Sequence, residues 1–514
     1  MPPKKHNSLN PAPGNMVDSQ SEVDEYGPYD QEAGERTSLI PRSDEIRNGG
    51  ESDVCRQTSN VRSAYTVTIA IGAVIMLANF SSVITMAPRL AIFEDVICRQ
   101  FYSDRTDIAG APDCKIEPVQ SEVAFVNGWE KTLSLLPGLA LSIPYGALAD
   151  RFGRSKVLTL AFCGVIMNES WVAIVCAWPQ IFPIRAVLFS GVFTLVGGGP
   201  TTVVSMTFAI ISDACRADQR TTAFSMLQVG FLLSELISTP LGAAFIAVNP
   251  WIPIVTAIAT RIAFTLVLFA GSVRYGNAER LKKKSPTNDI DESSPAASPL
   301  PNDTGAQYRY GAVAWITKDV ALVLLAFFCV MVNREASDLL LQYSSIKVHW
   351  NYAKASYLVS VRAAINIVVL FALIPGVTRY FKKRRVSSPR IDQYITVASG
   401  VLLALGSVLI FAAETPAALV FGQVVTAFGF SFTVTARSFV TTLVDARYMG
   451  VLSTTVTIAS HCALAFGGPF LAWTFKVGLG LGHAWFGMPF LVEGILFALG
   501  TVLVLLAAAP AIIS

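Results

Sequence analysis

Charge is what this chain has least of. Its 514 residues are 15% Asp, Glu, Lys and Arg and 53% hydrophobic, against about 25% charged residues in soluble domains. A chain this long with so few charges cannot wrap its apolar side chains in a water-facing shell, so an integral membrane protein is expected. The eight cysteines form no Cys-x-x-Cys and no Cys/His cluster, which argues against a metal site. A GxxxxGK[ST] phosphate loop is missing, so ATP is not expected to drive the protein directly. The absence of GxSxG and HExxH leaves a membrane hydrolase or acyltransferase without support, and no cofactor is called for. A net charge of +3 without a basic tract interleaved with aromatics gives nucleic-acid binding no basis. Residues 1–63 carry 7 Lys/Arg and 11 Asp/Glu. They are too polar for a signal peptide and too poor in apolar residues to fold alone, so a disordered cytosolic tail is expected.

What is present from Ala64 onward is a series of apolar runs, each long enough to cross a hydrocarbon core of about 30 Å. Twelve are predicted, over 65–87, 123–147, 157–177, 184–212, 222–247, 252–273, 319–345, 354–377, 392–412, 417–444, 449–475 and 485–509. All should be helices, because the alternating ten-residue pattern of a membrane barrel is absent. Loops on the side of the N-terminus hold 18 Lys/Arg, including Lys382, Lys383, Arg384 and Arg385, and the opposite loops hold seven, Arg89 among them. The positive-inside rule therefore places both termini in the cytosol. A polar stretch after Arg274, with Lys282, Lys283 and Lys284 followed by Ser, Pro and Asn, reads as a linker. The expected organisation is a tail at 1–63, a six-helix bundle at 64–273, a cytosolic linker at 274–315 and a second six-helix bundle at 316–514. The bundles echo each other. Leu141-Ser142-Ile143-Pro144 recurs as Ala372-Leu373-Ile374-Pro375, and Asp213-Ala214 recurs as Asp445-Ala446. Repeats at equivalent positions mark a transporter with its site between the bundles near the midplane.

Ionisable residues inside the spans are the candidates for that site, since each is disfavoured by about 2.5–3.5 kcal/mol at the bilayer centre. Glu235 lies mid-span on a polar stripe with Gln228, Ser238 and Thr239. Gln423, Thr426, Thr433 and Arg437 repeat at helical spacing in span ten. Glu335, Asp338 and Gln342 share one face of span seven, and Arg362 lies near the middle of span eight. Two assignments follow. Glu335, Asp338, Arg334 and Arg362 could form a static ion-pair network, whereas Glu235 and Arg437, without local partners, suit a cavity or proton coupling, with Arg437 reaching across to Glu235. Glu169, Arg261 and Glu493 are expected near span ends or helix seams, and His461 is expected to be structural. Cys98 and Cys114 share an outer loop facing an oxidising compartment, so a disulfide is expected.

The loop after span two reads Gly146-Ala147-Leu148-Ala149-Asp150-Arg151-Phe152-Gly153-Arg154-Ser155-Lys156-Val157-Leu158. It resembles the G-x-L-A-D-R-x-G-R-[RK]-x-x-L signature of the major facilitator superfamily, with Ser155 in place of the expected cation. The resemblance implies an all-α fold of twelve transmembrane helices in two pseudo-symmetric bundles. Gly146, Asp150, Arg151, Gly153 and Arg154 would then form the gating motif, with the Asp150 carboxylate expected to bond Arg154 or Arg220 and the start of span eleven around Gly450 to Thr454. Further stretches are similar to a fungal branch of the family associated with secondary metabolites, among them Gly128-Trp129, Leu340-Leu341-Gln342-Tyr343, Ser360-Val361-Arg362-Ala363 and Trp485-Phe486-Gly487-Met488-Pro489-Phe490. This implies a monomeric secondary transporter that exports a small organic molecule, coupled to H⁺. Nutrient uptake and a non-transporting sensor are the alternatives. Two departures stand out. Ser190 occupies the place of an arginine in span four, and the glycine-proline signature of span five is reduced to Thr239-Pro240-Leu241-Gly242. In the tail, Glu35 ahead of Leu39 and Ile40 resembles an acidic dileucine sorting signal, so the membrane is expected to be the plasma or the vacuolar one.

Overall fold

The computed structural model describes residues 72–73, 76–103, 113–214, 217–284, 316–445 and 448–507. These are helical throughout, with no strand among the described residues. In chain order the N-terminal half contains α1 (Met76–Ser103), α2 (Glu117–Ala140), α3 (Ser142–Phe152), α4 (Arg154–Ala177), α5 (Ile184–Phe193), α6 (Gly199–Ala214), α7 (Ala217–Ile246) and α8 (Trp251–Lys284). The C-terminal half contains α9 (Lys318–Lys347), α10 (Tyr352–Lys383), α11 (Ser388–Phe411), α12 (Pro416–Thr441), α13 (Met449–Leu481) and α14 (His483–Leu506). Ten of the described helices are long and apolar enough to cross a membrane unbroken, and the bent pair α2 and α3 makes an eleventh. The interrupted pair α5 and α6 occupies the remaining expected span.

Three breaks have local causes. Pro137 removes a backbone donor from α2, and α3 leaves it at 54° after Leu141. At the equivalent place in the second half, ahead of Pro375, α10 widens into a π-helical turn at Val369–Leu373. The repeated Ile-Pro pairs of the sequence thus mark the two distorted helices. Span four, expected to be continuous over 184–212, is interrupted at Gly197, Gly198 and Gly199, whose φ values of 77°, 77° and 59° are left-handed. A Cβ on Gly197 would lie 2.4 Å from the backbone nitrogen of Ala161. Only glycine allows that approach of the chain to α4.

Other boundaries also differ from the sequence reading. Span one does not stop at 87. It continues as helix to Ser103 and takes Arg89, Glu94 and Cys98 with it, so the outer loop begins later than expected. Between spans two and three only Gly153 separates the helices, and α8 continues through Lys284 into the stretch expected as linker.

The halves meet along two seams, α2 against α13 and α7 against α10. In the first, a Cβ on either Gly128 or Gly468 would come within 2.7 Å of the other's carbonyl oxygen, a small-residue contact of the kind that lets membrane helices pack closely. Thr132 reinforces it by donating to the Ala465 carbonyl at 2.8 Å. One face of the molecule carries the Lys/Arg-rich loops and is called here the basic face; the opposite one carries the Cys98–Cys114 disulfide and is called the disulfide face. Toward the latter, Leu90, Phe93, Val96 and Val123 pack with Leu341, Ala355 and Val359 in a single apolar cluster that draws on both halves. Toward the basic face, Ala149, Val157, Phe162 and Phe264 form a cluster of the N-terminal half alone, while Phe327, Phe439, Leu452 and Val504 form one of the C-terminal half. Packing thus closes the seam at the disulfide face.

Candidate functional site

At membrane depth the two halves exchange charges in both directions. From the N-terminal half, Lys131 Nζ reaches Asp338 Oδ2 at 2.8 Å and Glu335 Oε2 at 3.4 Å. Asn127 donates to the same Asp338 oxygen at 2.7 Å. From the C-terminal half, Arg362 donates to Glu235 Oε1 at 2.6 Å and to Ser337 Oγ at 2.5 Å. The helical spacing that puts Glu335 and Asp338 on one face of α9 is what allows one lysine to bridge both. Asp338 is almost fully buried at 2% exposure, and a buried carboxylate without a cation would be strongly disfavoured. Behind this centre Arg89 pairs with Glu130 at 3.2 Å, and Ser134, held by Asn168, donates to the other Glu130 oxygen.

A second network closes the disulfide face. Glu94 accepts from Lys115 at 2.7 Å on each oxygen, from Gln120 at 2.7 Å, and from Tyr352 of the other half at 2.5 Å. Cys98 lies one helical turn beyond Glu94 and is joined to Cys114, the neighbour of Lys115. Charge-assisted bonds of this kind are among the stronger ones available.

The sequence-selected residues fall into three groups. Glu235, Glu335, Asp338 and Arg362 converge, but in pairings other than those expected. Arg362 does not join Glu335 and Asp338 in a local network; it crosses the seam to Glu235, and Lys131 takes the two acids. Arg334 is exposed and forms no ion pair among the described residues. Arg437 does not approach Glu235. It lies one turn from the basic end of α12 and donates to Thr457 at 3.5 Å, while Glu235 lies mid-span and is held by Arg362. Gln423 lines a cavity with Arg362 and Glu493, and Gln342 is fully buried with neither amide atom hydrogen-bonded. His461 is held by the Thr457 carbonyl at 2.8 Å, and Arg261 is buried against Glu169 and Ser82.

In the loop motif, Gly146, Arg151 and Gly153 flank the turn into α4. Arg154 binds Asp213 at 2.7 Å and the Ala209 carbonyl at 2.8 Å rather than Asp150. Asp150 is exposed and forms no ion pair among the described residues, which departs from the expected bond to Arg154. Of its other expected partners around Gly450 to Thr454 and at Arg220, Gly450 and the Arg220 side chain lie outside the described side chains, and so does the Glu35, Leu39, Ile40 motif. The sequence reading missed Lys131, and it assigned Arg89 to a loop. Both are ionisable residues within apolar helices, and that property alone could have singled them out.

Two six-helix bundles, a glycine-packed seam and reciprocal charge pairs at membrane depth define a membrane transporter. The sequence model of the Major Facilitator Superfamily matches residues 69–391. The chain is similar to the efflux pump ustT of Aspergillus flavus, 39% identical over 480 residues that cover 90% of this chain and 93% of that protein. It is also similar to the MFS efflux pump atnC of Emericella nidulans, 28% identical over 424 residues, or 80% of this chain and 81% of the relative. Among solved structures, a D-xylose-proton symporter superposes with a TM-score of 0.56 at 12% identity, covering 86% of this chain and 97% of the other. The inward-open xylose transporter XylE of E. coli gives a TM-score of 0.54 at 12% identity, with 88% and 98% covered. The chain belongs to the Major Facilitator Superfamily.

Proposed function

We propose that this transporter exports a small, partly apolar organic compound, a secondary metabolite or a molecule of that kind, by alternating access coupled to H⁺. It acts as a monomer, with both termini and the basic face in the cytosol of a plasma or vacuolar membrane. Direction is supported by the relatives named as efflux pumps. The observation that carries the mechanism is the pair of reciprocal bridges, Lys131 to Glu335 and Asp338, and Arg362 to Glu235. Each bridge is made only while the halves touch at that depth, so each must break when the disulfide face opens. Energy is therefore stored in contacts that rocking of one half against the other makes and breaks. In the conformation described, Asp150 forms no ion pair among the described residues, and it would pair when the basic face closes.

The test compares a strain lacking the gene with one carrying it back, by mass spectrometry of cell extract and medium. Export is expected to leave one or more compounds enriched in deletion cells and depleted outside, reversed by the intact gene but not by Glu235→Gln. A compound depleted inside the deletion cells and enriched in the medium would show uptake instead. Identical profiles in all strains would favour a sensor.

A further inference from the structure

Glu493 is an acid at membrane depth that none of these pairs uses. Expected near a span end or seam, it lies in the second turn of the Met488–Leu506 portion of α14 and is 2% exposed, with Oε1 lacking any hydrogen-bond partner. It lines a cavity between α9, α10, α11, α12 and α14, together with Ser337, Arg362, Gln423, Thr426 and Phe490. The space there admits one group about the size of a water molecule, which matches an ammonium head and leaves the rest of a ligand outside it. Arg362 is the other charged group on the cavity wall, and it is already engaged by Glu235 and Ser337.

Around the seam, Arg89, Lys131 and Arg362 face Glu130, Glu235, Glu335, Asp338 and Glu493. Three cations meet five acids, and the acid left without a cation at ion-pair distance is Glu493. An ionised carboxylate so placed is strongly disfavoured unless a cation or a proton joins it.

We propose that this cavity is the subsite for a protonated amine on the transported compound, and that Glu493 holds either that ammonium or a proton, never both. This rests on the transporter assignment and names the class of its cargo. When the amine enters, the Glu493 carboxyl O–H breaks, its proton passes to water, and the carboxylate accepts N–H bonds from the ammonium. The subsite is neutral in both occupancies. Thr426 Oγ1 and the Gln423 carbonyl oxygen offer acceptors for the remaining ammonium donors, and the Phe490 ring offers a face for the cation. Glu235, Glu335 and Asp338 cannot serve in the same way while they hold Arg362 and Lys131.

The experiment uses the full chain in lipid nanodiscs and titrates in benzylammonium by calorimetry, in two buffers of different ionisation enthalpy. Benzyl alcohol serves as the neutral isostere. Wild type is expected to bind benzylammonium with release of up to about one proton, whereas benzyl alcohol should release none. Glu493→Gln should weaken benzylammonium binding by roughly thirtyfold or more, as loss of one partner of a buried charge pair does, and should abolish proton release. Glu493→Asp should bind more weakly yet still release a proton, which separates the carboxylate's role from a folding defect. No binding to wild type, unchanged binding or unchanged proton release in Glu493→Gln, or loss of proton release in a folded Glu493→Asp would each overturn the proposal. Intact exchange at Glu493 without export from cells would count against the transporter assignment alone.

Discussion

Glu235→Gln removes the carboxylate that Arg362 grips across the seam at 2.6 Å. Both side chains are about one-fifth exposed, at 21% and 23%, so the loss is smaller than the 3–5 kcal/mol of a fully buried pair; about 2 kcal/mol is expected. Since the bond exists while the disulfide face is closed, that energy is removed from the closed state, and the equilibrium shifts by about thirtyfold toward opening there. A cysteine introduced at Leu341, which is fully buried in the apolar cluster of that face, reports the shift. In a background without Cys55, Cys163, Cys176, Cys215, Cys329 and Cys462, a membrane-impermeant maleimide should label Leu341→Cys about thirtyfold faster once Glu235→Gln is added. The exchanged pair, Glu235→Arg with Arg362→Glu, should bring the rate back toward that of the parent. Equal rates in parent and Glu235→Gln would mean that the bridge does not hold this face shut.

Other substitutions probe the seam and its ends. Gly128→Ala places a methyl 2.7 Å from the Gly468 carbonyl, so the melting temperature in nanodiscs should fall with a cost of about 1–3 kcal/mol; an unchanged transition would show that α2 and α13 separate freely. Replacing Cys98 and Cys114, joined across 16 positions, should cost roughly 3 kcal/mol in the chain-entropy model, read as earlier chemical unfolding, and equal midpoints would contradict it. Asp150 is exposed and forms no ion pair among the described residues in this conformation, so Asp150→Asn should leave thermal stability unaltered while lowering export. A marked loss of stability would show that Asp150 already makes a stabilising contact at the basic face.

The fold was legible because a span needs only about 20 apolar residues in a row, and that is a local property. Its irregularities were less so. Residues 88–103 look like a loop because Arg89, Glu94, Asp95 and Arg99 are close together. They are helical because each charge has a partner: Glu130, Lys115, or, for Arg99, Asp95 one turn away. The break at Gly197–Gly199 follows from a close approach to α4 that no span-length rule contains. In the site, Glu235, Glu335, Asp338 and Arg362 could be chosen from sequence because isolated charges in apolar helices are conspicuous. Their pairing could not. Asn127 and Asp338 are 211 positions apart, and Arg362 and Glu235 are 127 apart, so helical offsets steered the reading toward neighbours on the same helix.

Alternating access is tested most directly by the distances between the halves at both faces. Spin labels at Val248 and Ala417 report the disulfide face, and labels at Ile143 and Tyr380 report the basic face; all four positions are exposed. Pulsed electron resonance on the full chain in nanodiscs, with and without Glu235→Gln, should show the first distance lengthening as the second shortens. Distances that stay fixed, or that change in the same direction at both faces, would contradict a rocking seam held by the Arg362 and Lys131 bridges.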